Sequence, residues 1–365
     1  MKLLYVTNAV HGSGGLERVL SIKASGLADK FGYEVTIMTL NSFGEPLFYA
    51  FNKKVQFYDV AVGGQSIQYI KEYIIGVRDV IKKVEPDIIC VCDDGLKGFF
   101  MPIIVGTKKP IIYERHVSKE IEMHHDGSFF RKCRTRAKWL VMELLAKKFT
   151  FFIVLTEGNK KEWTSLKNIR VIANPLSFYP EQSSTLDHKK VIAVGKQSYQ
   201  KGYDLLLQAW QLVIKKHPSW NLDIYGKKEE DIGLEKFVVQ LDLKSSVSFH
   251  DPEKDIEKKY LESALYVMSS RYEGFGMVLI EAMACGLPCV SFNCNYGPSD
   301  IIANGIDGFL VEQKNYKQLA EKIILLIDNE TLRKEMGARA KQNVIRYLPE
   351  TILNEWDNLF KEIIK

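Results

Sequence analysis

Arg271-Tyr272-Glu273-Gly274-Phe275-Gly276-Met277-Val278-Leu279-Ile280-Glu281-Ala282-Met283-Ala284-Cys285-Gly286-Leu287-Pro288 places one carboxylate in a glycine-bracketed loop and a second eight residues later in an apolar, helix-like run. Apolar strand patterns flank it, Leu265 to Ser269 before and Pro288 to Phe292 after. Parallel strands need a crossover connection, usually a helix, so this alternation points to a parallel sheet. A helix rises about 1.5 Å per residue, so the two carboxylates cannot share one proton as a close pair. Their spacing suits the two ends of an elongated ligand. Between them, backbone N–H groups from Gly276 to Val278 open a helix, a setting that favours an anion such as a diphosphate.

The alternation extends in both directions. Strand patterns cover Leu3 to Thr7, Glu34 to Leu40, Val55 to Val60, Asp87 to Cys92, Pro110 to Tyr113, Phe151 to Leu155 and Ile169 to Ile172. Helical patterns lie between them at Glu17 to Lys30, Ile67 to Val84, from Cys92 on through Ile104, Arg131 to Lys148 and Glu157 to Leu166. A stretch rich in Pro, Asn and Ser from Ala173 reads as a linker. The pattern then restarts with strands Lys190 to Val194, Asn221 to Tyr225, Val247 to Phe249 and Phe309 to Val311, and helices Tyr203 to His217, Leu234 to Leu241 and Ile256 to Leu261. Helical patterns at Tyr316 to Asp328, Leu332 to Tyr347 and Ile352 to Ile364 close the chain. Near-continuous apolar strands imply sheets covered on both faces. The expected fold is α/β, with two doubly wound Rossmann-like domains at 1–175 and 189–349, a linker at 176–188, and a C-terminal helix 350–365 packing back on the first domain.

With 365 residues the chain is long enough for two cores, and 46% apolar with 26% charged residues is ordinary for a soluble globular protein. Net charge is a mild +5. No apolar run approaches the roughly 20 residues needed to span a bilayer, and Met1 to Asn8 is too short for a signal sequence. The six cysteines, at 90, 92, 133, 285, 289 and 294, lack zinc-site spacing and read as buried free thiols of a reducing cytoplasm. Asp93 and Asp94 are adjacent on an extended chain, so their carboxylates point apart and do not suggest a metal pair.

The segment Glu273 to Glu281, with Gly-Phe-Gly after the first Glu and Glu-Ala-Met-Ala-Cys-Gly-Leu-Pro at the second, resembles the signature of retaining glycosyltransferases of family 4. That resemblance implies the GT-B arrangement, two facing Rossmann-like domains with the active site in the cleft between them. It implies that Glu281 accepts from the ribose hydroxyls of a nucleotide-sugar and Glu273 from the transferred sugar. Gly274, Phe275, Gly276, Met277 and Val278 would hold sugar and phosphates through their backbone, and His250 would line the base pocket. Lys196 and Lys201 resemble the family's basic pair, which stabilises charge on the leaving diphosphate; the family usually has Arg at the first position. The loop His11-Gly12-Ser13-Gly14-Gly15-Leu16-Glu17-Arg18 implies that Gly14 and Gly15 face the donor and acceptor. A dinucleotide fingerprint fails there, because Glu17 replaces its third glycine and no acidic residue follows the second strand. His116, at a strand end, matches the family's sugar-contacting His, although Glu114-Arg115-His116 is one residue longer than the usual Glu-His. The family works without a bound metal or cofactor, the lysines and helix end taking that role, so none is expected.

Arg131 to Lys148 is the densest basic run, with seven cations against one Glu143 and with Phe129, Phe130 and Trp139 nearby. Part of its apolar spacing docks the helix, and the exposed remainder suits an anionic membrane surface, at about 1 kcal/mol per cation. A plain solvated basic face is the alternative. Nucleic acid is not expected, for want of a recognition motif. The activity that the resemblance implies is transfer of a hexose or N-acetylhexosamine, with retention, from an NDP-sugar to a sugar hydroxyl on a polyprenyl-linked or surface glycan, as in lipopolysaccharide or capsule assembly. Phe292 to Asp300 resembles members that use UDP-sugars. Such an enzyme would be cytoplasmic, peripheral on the inner membrane face. Alternatives are a GT-B nucleotide-sugar 2-epimerase and a non-catalytic glycan- or lipid-binding relative.

Overall fold

Seven short apolar stretches form one sheet: β1 (Lys2–Val6), β2 (Glu34–Leu40), β3 (Gln56–Val60), β4 (Ile88–Val91), β5 (Ile111–Glu114), β6 (Phe151–Val154) and β7 (Ile169–Val171). Their order is β3-β2-β1-β4-β5-β6-β7, and every pairing is parallel. A second parallel sheet contains β8 (Lys190–Val194), β9 (Asn221–Tyr225), β10 (Val247–His250), β11 (Leu265–Met268), β12 (Cys289–Phe292) and β13 (Gly308–Val311), in the order β10-β9-β8-β11-β12-β13. In this computed structural model, which describes residues 1–106, 108–122, 129–228 and 232–365, the sheets belong to two compact units. The first comprises Met1–Ser177 with Pro349–Lys365, and the second Phe178–Leu348.

Consecutive residues of β4, β5, β11 and β12 are all buried, because helices cover both faces of each sheet. The expected α/β architecture of two Rossmann-like sheets is therefore present. Several helices differ from their sequence patterns. The single helix expected through Ile104 is two single-turn pieces, Leu96–Phe99 and Met101–Ile104. Pro102 is tolerated in a first turn but not in a helix interior, so the helix restarts there. Glu157 to Leu166 shortens to Glu157–Lys160 and a 3₁₀ turn Lys161–Trp163. Asn329 starts the next-to-last long helix two residues early by accepting from Leu332 N at 2.9 Å. That helix ends at Asn343, and Val344–Tyr347 continues as a 3₁₀ turn.

The residues read as a linker are no loose tether. Ser184 N donates to Cys285 O at 2.8 Å, its hydroxyl donates to Ser263 O at 2.6 Å, and Arg333 donates to Leu186 O at 3.2 Å, all within the second unit. In the first unit, helix Pro349–Ile364 lies against helix Gly15–Lys30. A Cβ on Gly26 would come within 2.4 Å of Leu353, so a side chain there would hold the two helices apart. Five cysteines are buried, but Cys133 is exposed, against expectation, because it stands on the outer face of its helix. Burial pushes the thiols of Cys90, Cys92, Cys285 and Cys289 up, which makes them inert. Among the described residues no helix is long and apolar enough to cross a membrane.

Candidate active site

Strand order reverses between β1 and β4 in the first sheet and between β8 and β11 in the second. In open parallel sheets such switch points leave a crevice at the carboxyl ends of the strands. The sequence candidates emerge close to these points. Gly14 and Gly15 follow β1, and His116 follows β5; Lys196 and Lys201 follow β8, and Glu273 follows β11.

In the second unit, Lys201 Nζ donates to Glu273 Oε1 at 2.7 Å, and the Ser270 hydroxyl donates to the same oxygen at 2.6 Å. Glu273 is 6% exposed. Its backbone is held on both sides, Glu273 N donating to Asn295 O at 2.8 Å and Tyr296 N donating to Glu273 O at 3.1 Å. Gly202 has φ of +62°, and a Cβ there would meet Ser269 O at 2.2 Å. Only glycine accepts both that conformation and that approach, which brings the Lys201 turn against the end of β11. Ser269 Oγ completes the joint by donating to Lys201 O at 2.8 Å.

Arg271 fastens the same two segments. Its guanidinium donates to both oxygens of Asp204, at 3.0 and 2.6 Å, and to Tyr199 O at 2.6 Å, and it lies 4.0 Å from the Tyr199 ring centroid. The Arg271–Asp204 pair and Ser270 escaped the sequence reading. The signal that could have found Arg271 is its place two residues before Glu273.

Gly276, with φ of +101°, precedes helix Met277–Ala284, which presents its first N–H groups at this loop. Phe275 is buried edge-on to Tyr347 at 5.5 Å, so it offers a ligand only backbone. Gly274, Met277 and Val278 are half-buried. Glu281 is fully buried in that helix, with the Tyr260 hydroxyl 3.5 Å from its carboxylate. Lys196 stands exposed on the loop after β8. His250, at the end of β10, stacks on Tyr225 with ring centroids 4.4 Å apart, and its Nε2 lies 3.1 Å from Asp223 Oδ1. Burial and Asp223 together push the Tyr225 hydroxyl up to about 12.

In the first unit, the Glu17 carboxylate folds back over the glycine loop, 2.6 and 2.5 Å from where a Cβ on Gly12 or Gly14 would stand. His116 donates its backbone N–H to Asp94 Oδ1 at 3.0 Å, and its Nε2 is 3.4 Å from Glu114 Oε2. The extra residue, Arg115, does not separate Glu114 from His116. The three alternate, and Arg115 donates instead to Asp94 O at 2.6 Å and Ser118 O at 3.5 Å. Glu114 is also ion-paired with Lys23, and both side chains are 2% exposed. Burial alone would raise the Glu114 carboxyl's pKa, but Lys23 and His116 outweigh it and hold the value below normal. Cys92, Glu114 and His116 place one donor atom each within 4.8 Å of one another, the one group of metal-ligand type among the described residues. Lys23 already supplies a cation to that carboxylate. Asp93 and Asp94 point apart, as expected: Asp93 accepts from Asn8 Nδ2 at 3.1 Å and from Gly95 N at 2.9 Å, away from His116.

On the basic helix, Phe129–Ala146, the buried side chains include Met142, Leu145 and Ala146. Leu140 and Leu144, two of the residues whose spacing fits docking, instead point outward and are 65% and 64% exposed. Val141, Lys132, Arg134, Arg136, Lys147 and Lys148 are exposed as well. Glu143 turns inward to Lys119 Nζ at 2.7 Å and to the Ser165 hydroxyl at 3.0 Å. The Phe129 and Arg131 side chains lie outside the described residues.

Residues 178–343 match the family model "Glycosyl transferases group 1". An uncharacterized glycosyltransferase of Haemophilus influenzae is 31% identical over 358 residues, covering 96% of this chain and 97% of that protein. The amylovoran biosynthesis glycosyltransferase AmsD of Erwinia amylovora is 32% identical over 371 residues, 98% of this chain and 99% of that protein. Among solved structures, a point mutant of S. aureus TarM in complex with fondaparinux, alpha-GlcNAc-glycerol and UDP superposes with a TM-score of 0.82 at 19% identity, covering 98% and 99% of the two chains, a likeness of fold. With two Rossmann-like units of GT-B type and relatives matched over nearly their whole length, the chain belongs to the group 1 glycosyltransferases.

Proposed function

We propose that this glycosyltransferase is a retaining, metal-independent enzyme of family 4. It moves a hexose or N-acetylhexosamine from a UDP-sugar to a sugar hydroxyl on a lipid-linked or surface glycan. The observation that carries the reading is the largely buried Lys201–Glu273 pair, set beside the start of the helix that contains Glu281. A cation, helix N–H groups and two separated carboxylates complement diphosphate, sugar and ribose in one ligand. AmsD, similar over its whole length, is named for amylovoran biosynthesis, and the fold-related TarM was crystallised with UDP and a GlcNAc-bearing glycerol.

In this mechanism the bond between sugar C1 and the phosphate oxygen breaks, and its electron pair leaves with UDP. Lys196, Lys201 and the helix start stabilise that charge. The acceptor hydroxyl attacks C1 from the same face, and its proton passes to the departing phosphate oxygen. Glu273 is not a nucleophile in this mechanism; its Oε1 accepts from both Lys201 and Ser270, which fixes the carboxylate in place. It orients sugar hydroxyls instead, Glu281 binds the ribose, and His250 lies beside the base. Gly14 and Gly15 face the reactants, and His116 touches the transferred sugar. Peripheral contact with anionic lipid is assigned to the helix Phe129–Ala146, whose outer face carries both cations and exposed Leu140 and Leu144.

The test is incubation of the full chain with radiolabelled UDP-N-acetylglucosamine or UDP-glucose and bacterial membranes. Label should enter a lipid or glycan fraction with the anomeric configuration preserved by NMR. Inverted product, or isomerised free sugar without transfer, would overturn the reading.

A further inference from the structure

We propose that Glu114 is a positioning residue that fixes the tautomer and orientation of His116, and that Lys23 keeps its carboxylate in that role. The proposal rests on the reading of His116 as a residue that touches the transferred sugar. Three observations carry it.

The local backbone cannot roll. Arg115 anchors one side of the segment through Asp94 O and Ser118 O, and the His116 N–H is bonded to Asp94 Oδ1. On an extended chain alternate residues face the same side, so Glu114 and His116 are held side by side. The imidazole Nε2 is buried and makes no other hydrogen bond among the described residues, and Glu114 Oε2, at 3.4 Å, is the anionic group facing it.

An ionised carboxylate only accepts hydrogen bonds. Facing Glu114, the imidazole therefore carries its proton on Nε2 and keeps the lone pair on Nδ1, which accepts from a sugar hydroxyl. Were Glu114 protonated, it could donate to Nε2, and the tautomer would invert.

Protonation is what burial favours for a carboxyl without a partner. Lys23 prevents it. This lysine occupies an inward position of helix Gly15–Lys30, is 1% exposed, and points at Glu114 while lying 4.1 Å from the Trp356 ring and 5.0 Å from the Tyr5 ring. A cation this deep on an apolar helix face is costly unless paired. Its partners are a carboxylate and two aromatic faces, one of them from the C-terminal helix. Helix Gly15–Lys30, the end of β5 and the C-terminal helix thus meet around the ammonium of Lys23.

The experiment uses the full chain with ¹⁵N-labelled histidine and long-range ¹H–¹⁵N spectra at pH 8, with His116→Ala identifying its signal among seven histidines. The double variant Lys23→Met/Glu114→Gln removes both charges while keeping volume, so it folds where a single change strands a buried charge. The wild type should show Nε2–H with an unprotonated Nδ1, and the double variant a mixture of tautomers. Turnover of the UDP-hexose that the wild type uses should drop at least about tenfold in kcat, the lower end of the scale for losing a carboxylate that fixes a histidine's tautomer, with donor KM little changed. In a His116→Ala background the double variant should cost nothing further. A wild-type Nδ1–H tautomer, or spectra unchanged in a folded double variant, overturns the proposal. Full activity of His116→Ala would instead remove the sugar-contact reading, and the spectra would still decide the role of Glu114.

Discussion

Lys201 and Glu273 are 72 residues apart in sequence, yet ammonium and carboxylate meet at 2.7 Å. Gly202 and Ser269 make the meeting possible, the one by lacking a side chain and the other by bonding the Lys201 carbonyl. Glu273→Gln and Lys201→Met should each lower kcat by about 10²–10³ while UDP still binds, because each removes a group aimed at charge or hydroxyls in the transition state. Steady-state kinetics with calorimetric titration of UDP checks this. Activity within about threefold of wild type, a difference of roughly 0.6 kcal/mol in transition-state stabilisation, would show the pair to be structural only.

Glu281 is the second test of the ligand's orientation. Glu281→Gln should weaken UDP binding about tenfold or more while leaving binding of inorganic diphosphate unchanged, since a ribose hydrogen bond to a charged group contributes roughly 1.5–3 kcal/mol. Calorimetry with both ligands reads the difference. Equal affinities for UDP in variant and wild type would remove the ribose assignment.

Two glycines separate backbone strain from collision. Gly202→Ala combines φ of +62° with a Cβ 2.2 Å from Ser269 O, whereas Gly305→Ala has φ of +78° and nothing within 4 Å. The first should cost more than about 2 kcal/mol in denaturant melts and most of the activity, and the second about 1 kcal/mol with activity intact.

Acid stability follows from Glu114. Its folded-state pKa is depressed despite burial, with Lys23 and His116 as the cause. Its contribution is therefore complete above the unfolded carboxyl value of about 4.3 and is lost as pH falls through the lower folded value. Below about pH 5 the melting temperature of wild type should fall more steeply than that of Lys23→Met/Glu114→Gln. Parallel curves would show that the pair carries no pH-linked stability.

Membrane contact divides into two separable parts. Leu140→Ser/Leu144→Ser should reduce sedimentation with vesicles containing anionic lipid at any salt concentration. Lys132→Gln/Arg134→Gln/Arg136→Gln should reduce it at low salt and matter less at high salt, where charges are screened. Unchanged sedimentation of both variants would leave the face merely solvated.

The sheets and the signature segment were legible because both are local. Strands such as Ile88–Val91 are short uninterrupted apolar runs, and Glu273 and Glu281 stand eight residues apart with glycines at fixed places. What stayed hidden depends on pairings across the fold. Arg271 finds Asp204 from 67 residues away, and Lys23 finds Glu114 from 91, and neither partner is marked by spacing. Lys23 does leave one trace, a cation at an inward position between Leu20 and Leu27. The basic helix shows the opposite difficulty. Its apolar residues define more than one possible face, and only packing determines that Met142 and Leu145 go in while Leu140 and Leu144 stay out.

The C-terminal helix has a consequence for how the protein is made. The first unit is discontinuous in sequence, interrupted by the whole of the second. During synthesis at about 5–20 residues per second, helix Gly15–Lys30 waits on the order of ten seconds for Leu353 and Trp356 to emerge. Until then the helix that carries Lys23 and Gly26 lacks its cover, and a nascent chain offers chaperones an unfinished domain followed by a finished one. Birth order and folding order are therefore opposed: the half that is translated first is the last that can be completed.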